Sequence, residues 1–90
     1  MEFEWDEAKR AANRRKHGLD FADALEFEGA TAAPDLRFDY GEKRMIAVGE
    51  FRGRLHVAIY VERGGQKRLI SFRLANAREV RRHEEQKTRP

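Results

Sequence analysis

The chain has 90 residues, 40% of them hydrophobic and 39% charged, with a formal net charge of +3 and an isoelectric point near 9.6. That length holds one domain with a modest core, and a charged share well above the usual figure of about 25% implies a surface dense in charge. The lack of cysteine excludes disulfides and thiolate metal sites. No apolar run approaches the roughly 20 residues that span a bilayer, and the acidic start MEFEWDE is no signal peptide. A single cytoplasmic domain over 1–90 is expected, without membrane contact, and its basic balance favours an anionic partner, either nucleic acid or an acidic protein.

Phe3 and Trp5, either side of Glu4, read as a short opening strand, and Asp6 as the N-cap of a helix from Glu7 to about His17. That helix starts acidic and ends Arg14-Arg15-Lys16-His17, the order its macrodipole favours. Ala8, Ala11 and Ala12 form a narrow apolar stripe, and Gly18 stops the helix. Asp20 caps a second short helix with Phe21, Ala24, Leu25 and Phe27 on one side, ended by Glu28 and Gly29. Pro34 argues against a central strand in residues 30–37, whereas Leu36, Phe38 and Tyr40 alternate with charges as a strand up to Gly41. Met45 to Phe51 and Leu55 to Glu62 are strands joined at Arg52-Gly53, and Gly64-Gly65 turns the chain into a last strand from Lys67.

In that last strand Ile70, Phe72 and Leu74 form the apolar face, opposite Ser71 and Arg73. Asn76 and Glu79 have capping-box spacing and open a helix carrying Arg78, Arg81, Arg82 and His83, with a frayed tail after Glu85. The order predicts an α+β domain: an antiparallel sheet of about four to five strands, two N-terminal helices and one C-terminal helix, with the helices on one face.

Several of these residues suit phosphate chemistry, and each also has an ordinary structural use. His17 is either a cation at a helix C-terminus or a proton carrier. Glu42 is either part of a solvated loop or the carboxylate that orients Arg44 toward a phosphate. Arg54, Arg63, Lys67, Arg68 and Arg73 punctuate the hairpins as charges that protect edges, or as cations that meet successive RNA phosphates. Trp5, Phe51 and Tyr60 are core aromatics or stacking platforms for bases. His56 and His83 complete the histidines. Nothing in the spacing suggests a metal site, a Gly-rich phosphate loop or a nucleophile elbow, so no cofactor is expected.

The runs FEWDEAKRAANRRKHGLDF, YGEKR, Gly53-Arg54 and RLISFRLANAREVRRHE together resemble the BrnT family of bacterial toxins from type II toxin–antitoxin modules, from Phe3 to about Glu85. The resemblance implies a RelE-like fold and a ribonuclease that halts translation. It also implies a cognate antitoxin with a ribbon-helix-helix DNA-binding domain, through which the pair meets DNA and represses its own promoter. On this reading Arg63, Arg73 and His83 are catalytic, His17, Arg44, Arg54 and Lys67 contact RNA phosphates, and Glu42 orients. The chain departs from the family where relatives carry a lysine at Leu74 and a tyrosine at His83.

The mechanism expected from the resemblance needs no metal: the ribose 2′-hydroxyl attacks the adjacent phosphate while arginines offset the developing charge. Two other readings stand beside it. One is a weak or inactive toxin that serves as antitoxin partner and corepressor, which the two departures favour. The other is a plain interaction domain whose basic face receives an acidic antitoxin segment.

Overall fold

The computed structural model describes residues 2–36 and 41–88. Its centre is a four-stranded antiparallel meander in the order β1-β2-β3-β4, made of β1 (Glu28–Pro34), β2 (Arg44–Phe51), β3 (Arg54–Arg63) and β4 (Gln66–Leu74). Helix α1 (Glu7–His17) and a 3-10 helix (Phe21–Glu26) precede the sheet, and α2 (Ala77–Thr88) follows it. The α+β expectation, with antiparallel strands and helices at both ends, is met.

Both tight hairpin turns are built from left-handed backbone, whose twist matches that of the flanking strands. Gly64 and Gly65 supply it between β3 and β4, at φ 56° and 81°. Between β2 and β3 Arg52 takes φ 51° ahead of Gly53, a position where a side chain is strained. Its guanidinium lies 4.6 Å from the Phe51 ring centre and meets Glu26 at 3.4 Å and Asp23 at 3.6 Å. These contacts hold the residue in place.

Strand β3 is central, and side chains on both of its faces are buried. Ala58 and Tyr60 join Ala47, Phe51, Leu69 and Phe72 in the main core, which the 3-10 helix closes with Phe21, Ala24 and Phe27, and the buried His56 packs against Phe51 and Phe72. Phe72 is the hub: ring centres of Phe27, Phe51 and His56 lie 5.5–5.6 Å from its own. Phe27 and Phe51 meet it edge-on at 72° and 75° while His56 stacks on it at 25°, and aromatic contacts of both kinds add to the stabilisation from burial alone. Val57 and Val61, pointing the other way, are buried as well.

The expected apolar face of β4 is corrected by a bulge. Ile59 pairs with Ser71 and Tyr60 with Leu69, so Ile70 is an extra residue in the strand. Leu69 and Phe72 therefore share the core face, and Leu74 at its end stays 40% exposed. A bulge inverts the alternation on one side of it, which period-two reading cannot anticipate.

Polar contacts hold α1, and its expected stripe of Ala8, Ala11 and Ala12 is exposed. Asn13 is the buried residue of this helix. Its Nδ2 donates to the carbonyls of Phe72 (2.9 Å) and Leu19 (3.0 Å), and its Oδ1 accepts the Phe72 N–H at 3.1 Å. One side-chain amide thus does for the outer edge of β4 what a neighbouring strand would do.

Glu4 pairs with the same edge further up. Its N–H donates to Lys67 at 2.9 Å, and its carbonyl accepts from Leu69 at 2.8 Å. The expected opening strand is reduced to this single parallel bridge. Arg10 grips Asp20 with two bonds of 2.7 and 2.9 Å, and this contact holds the Asp20 carboxyl well below the usual carboxylate range.

Other boundaries differ from expectation. Glu28 and Gly29 open β1 and do not end a helix, because Phe27 leaves the 3-10 turn in extended backbone. Pro34 is tolerated there, since β1 is an edge strand. Leu36 lies outside any strand and is 87% exposed, and the expected strand residues Phe38 and Tyr40 lie outside the described residues. Helix α2 continues past Glu85 to Thr88, through the good helix formers Gln86 and Lys87. It also crosses the face of the sheet opposite the main core, so the helices are not all on one side.

Two stability tests follow from this packing. Asn13→Ala strands the amide and carbonyl of Phe72 and is expected to cost about 2–4 kcal/mol in urea unfolding; a loss within about 0.5 kcal/mol, as at ordinary surface sites, would show that water serves the edge equally well. His17, half-buried beside Ile70 and Ser71, has its imidazole pushed below its ordinary value by burial, with Lys16 and Arg73 acting in the same direction. The unfolded chain therefore binds this proton more readily, and stability falls as pH drops below the ordinary histidine value of about 6.5. His17→Gln is expected to flatten that fall, and parallel profiles for the two proteins would contradict it.

Candidate functional site

Strand alternation sorts the cations onto faces. On β2, Ile46 and Val48 point away from the main core, and Arg44 shares their parity. On β3, Val57, Ile59 and Val61 point the same way, with Arg63 following. Register places Arg73 opposite Val57, and both Arg44 and Arg68 opposite Val61. The non-core face thus carries Arg44, Arg63, Arg68 and Arg73.

Helix α2 crosses this face and is anchored at its first turn. The Glu79 N–H donates to Asn76 Oδ1, and the Asn76 N–H donates to Glu79 Oε1, both at 2.9 Å. This is the expected capping box. Glu79 also takes the Arg73 guanidinium end-on, Nη1 to Oε1 at 2.6 Å and Nη2 to Oε2 at 2.8 Å, with both side chains only 18% exposed. Such a two-pronged fork fixes a guanidinium more firmly than a single contact. The sequence showed Glu79 only as a cap; an arginine ending a strand six residues before a helix N3 glutamate was the available signal.

Beyond that anchor, Glu79, Arg82, His83 and Gln86 recur at helical spacing and line a groove of about 170 Å³. Its opposite wall is Thr31, Ala33, Ile46 and Val48 of β1 and β2. The groove has an aliphatic floor and a roof that carries a cation and an imidazole. Arg82, singled out in sequence only as one of several helix cations, belongs to it.

The remaining expected site residues are placed as follows. Arg63 and Arg73 are not together: Arg63 pairs with Gln66, six residues along β3 from Val57, which is about 20 Å of strand. Glu42 meets Arg63 at 2.7 Å, so the expected Glu42–Arg44 contact is replaced by a Glu42–Arg63 pair. Arg44 is half-buried near the same end of the sheet. Arg54 begins β3 at the far end, exposed, with its carbonyl accepting a 2.8 Å bond from His56 Nδ1. Lys67 faces the core side, its Nζ 5.9 Å from the Tyr60 ring centre. It also lines a shallow hollow of about 490 Å³ with Glu2, Phe3, Glu4, Gly65 and Gln66, away from the α2 groove. His17 lies near enough to Arg73 for its titration to feel that charge.

His56, Tyr60 and Phe51 are core residues, and burial raises the Tyr60 phenol above its ordinary value, with Glu62 adding to the shift. Leu74 pairs with His56 on the core face and not with the face carrying Arg73. The family lysine that it replaces therefore falls outside the groove, whereas His83 lies in it. Among the described residues no group of three histidine, aspartate or glutamate side chains is placed to hold a metal ion, and no helix is long and apolar enough to cross a membrane.

Comparison with known proteins agrees with this architecture. Residues 5–79 match the family described as ribonuclease toxin, BrnT, of type II toxin-antitoxin system. A solved structure, the 1.1 Å crystal structure of the Brucella abortus ribonuclease toxin BrnT, is similar with a TM-score of 0.64 and 38% sequence identity. The match covers 84% of this chain and 97% of that one. No curated protein matches. With a family match over most of its length and a solved structure of similar fold at 38% identity, the chain belongs to the BrnT family of ribonuclease toxins.

Proposed function

We propose that this chain is the toxin of a type II module and cleaves RNA without a metal, at the groove between α2 and the non-core face of the sheet. The observation that carries the proposal is a groove lined by Arg82 and His83 in a BrnT-family chain, with a fixed arginine, Arg73, held beside it by the groove residue Glu79. The RNA supplies its own nucleophile. The 2′-oxygen bonds to phosphorus as His83 takes its proton, the bond to the 5′-oxygen breaks, and that oxygen leaves with a proton from solvent. The products are a 2′,3′-cyclic phosphate and a free 5′-hydroxyl, and DNA is spared because it has no 2′-hydroxyl. Arg73 and Arg82 offset the charge that builds on the phosphate oxygens.

Arg44 and Arg63 serve as more distant phosphate contacts on the same face. His17 is the reserve proton carrier, while Arg54 and Lys67 contribute to general RNA attraction from outside the groove. Arrest of translation, neutralisation by a ribbon-helix-helix antitoxin and joint repression of the promoter belong to the same proposal, on the strength of the family.

A second reading, a binding module without turnover, is favoured by one observation: both arginines from the family motif are already engaged by carboxylates, Arg63 by Glu42 and Arg73 by Glu79. Cleavage of total RNA by the purified protein in excess EDTA separates the two. Wild type is expected to cleave, with Arg73→Ala and His83→Ala each slower by about 100-fold or more and Arg63→Ala affected mainly in KM. Arg73→Ala matching wild type would remove the assignment, and an inert wild type would put the binding module first.

A further inference from the structure

We propose that Glu79 is a positioning residue for cleavage, orienting the Arg73 guanidinium toward the scissile phosphate rather than merely capping α2. The inference rests on the ribonuclease reading above and deepens it.

Among the described residues the carboxylate carries two loads on two structural elements. Oε1 accepts both the Asn76 N–H at 2.9 Å and Arg73 Nη1 at 2.6 Å, while Oε2 takes Arg73 Nη2 at 2.8 Å. A cap needs only the first of these contacts. The other two turn the same side chain into a clamp between the end of β4 and the first turn of α2. Arginine has five N–H donors in a flat, rigid fork. End-on engagement by Glu79, with a long 3.4 Å contact from Nη1 to the Leu74 carbonyl, occupies the tip of the guanidinium. It leaves the side edge, Nε–H and the second Nη2 hydrogen, without a protein partner among the described residues. Two parallel donors on one edge match two oxygens of a phosphate.

Glu79 also shares the groove-lining face of α2 with His83, one helical turn on. The carboxylate that sets the guanidinium plane thereby also sets where the imidazole stands relative to it. A phosphate at the side edge of Arg73 meets a donor pair already fixed in direction, so the arrangement lowers the barrier by prior orientation and not by affinity. Electrostatics separates these two contributions. Glu79 is an anion beside the RNA path, so its charge opposes RNA binding while its geometry favours turnover.

The test compares wild type, Glu79→Gln and Asn76→Ala. Glutamine retains an oxygen to accept the Asn76 N–H, but it replaces the charged two-oxygen fork. Asn76→Ala removes the cap and leaves the fork. Steady-state cleavage in EDTA, RNA affinity for a 2′-O-methyl oligonucleotide and thermal melting are read for each. Glu79→Gln is expected to lower kcat by about 10- to 100-fold, with oligonucleotide affinity unchanged or tighter. Asn76→Ala is expected to lower Tm by about 4–8 °C and to keep its kcat below the melt. A Glu79→Gln protein with wild-type kcat, or one whose kcat and affinity fall together with its Tm as Asn76→Ala melts, would overturn the inference and leave a structural cap. Failure of the ribonuclease reading is seen separately, in an inert wild type, and removes both.

Discussion

The amide of Asn13 seated on the backbone of Phe72 is the constraint on which the rest of this small domain depends. Strand β4 is an edge of the sheet among the described residues, and an open edge beside a core this small would be a route to fraying or to pairing with another chain. Asn13 closes that edge at Phe72, as the backbone of Glu4 does at Lys67 and Leu69. Because the Phe72 ring is also the centre of the aromatic cluster, one residue ties helix α1, the sheet and the 3-10 helix together. The alanines of α1 contribute little burial, so the helix depends on directional contacts, namely Asn13 on β4 and Arg10 on Asp20.

The same register decides what the other face can do. With Phe72 turned into the core, Arg73 must point to the opposite side, where α2 arrives with Glu79, Arg82 and His83. On the proposed reading, stability and chemistry are divided between the two faces of a four-stranded sheet: aromatic packing on one, cations above an aliphatic floor on the other. Arg44 and Arg68 lie four residues up the ladder from Arg73, and Arg63 lies beyond them. Four residues of strand are about 13 Å, enough to separate contacts along an RNA backbone into a reacting position and a holding position.

What could be read from the sequence was what short-range physics specifies. The caps at Asp6, Asp20 and Asn76, the stop at Gly18 and the two tight hairpins fell where residue chemistry placed them, since each involves neighbours within a few positions. Features that depend on distant partners were hidden. The bulge at Ile70 inverted the supposed apolar face of β4, and an asparagine inside a basic helix gave no sign that it would serve a strand 59 residues away. For the site, the residue types were visible and the grouping was not. Arg63 and Arg73 belong to neighbouring strands of one hairpin whose register the sequence leaves open, and that register parts them and gives each its own carboxylate.

The central claim, that RNA is engaged between α2 and the non-core face, is tested most directly by titrating the labelled protein with a short 2′-O-methyl RNA that cannot be cleaved and following amide and side-chain NMR shifts. The account predicts the largest changes at Arg73, Arg82 and His83 and on the floor at Ile46 and Val48, smaller ones at Arg44 and Arg63, and the smallest at Arg54 and Lys67. Changes centred on Arg54, or on the hollow around Lys67, with the α2 groove silent, would contradict it.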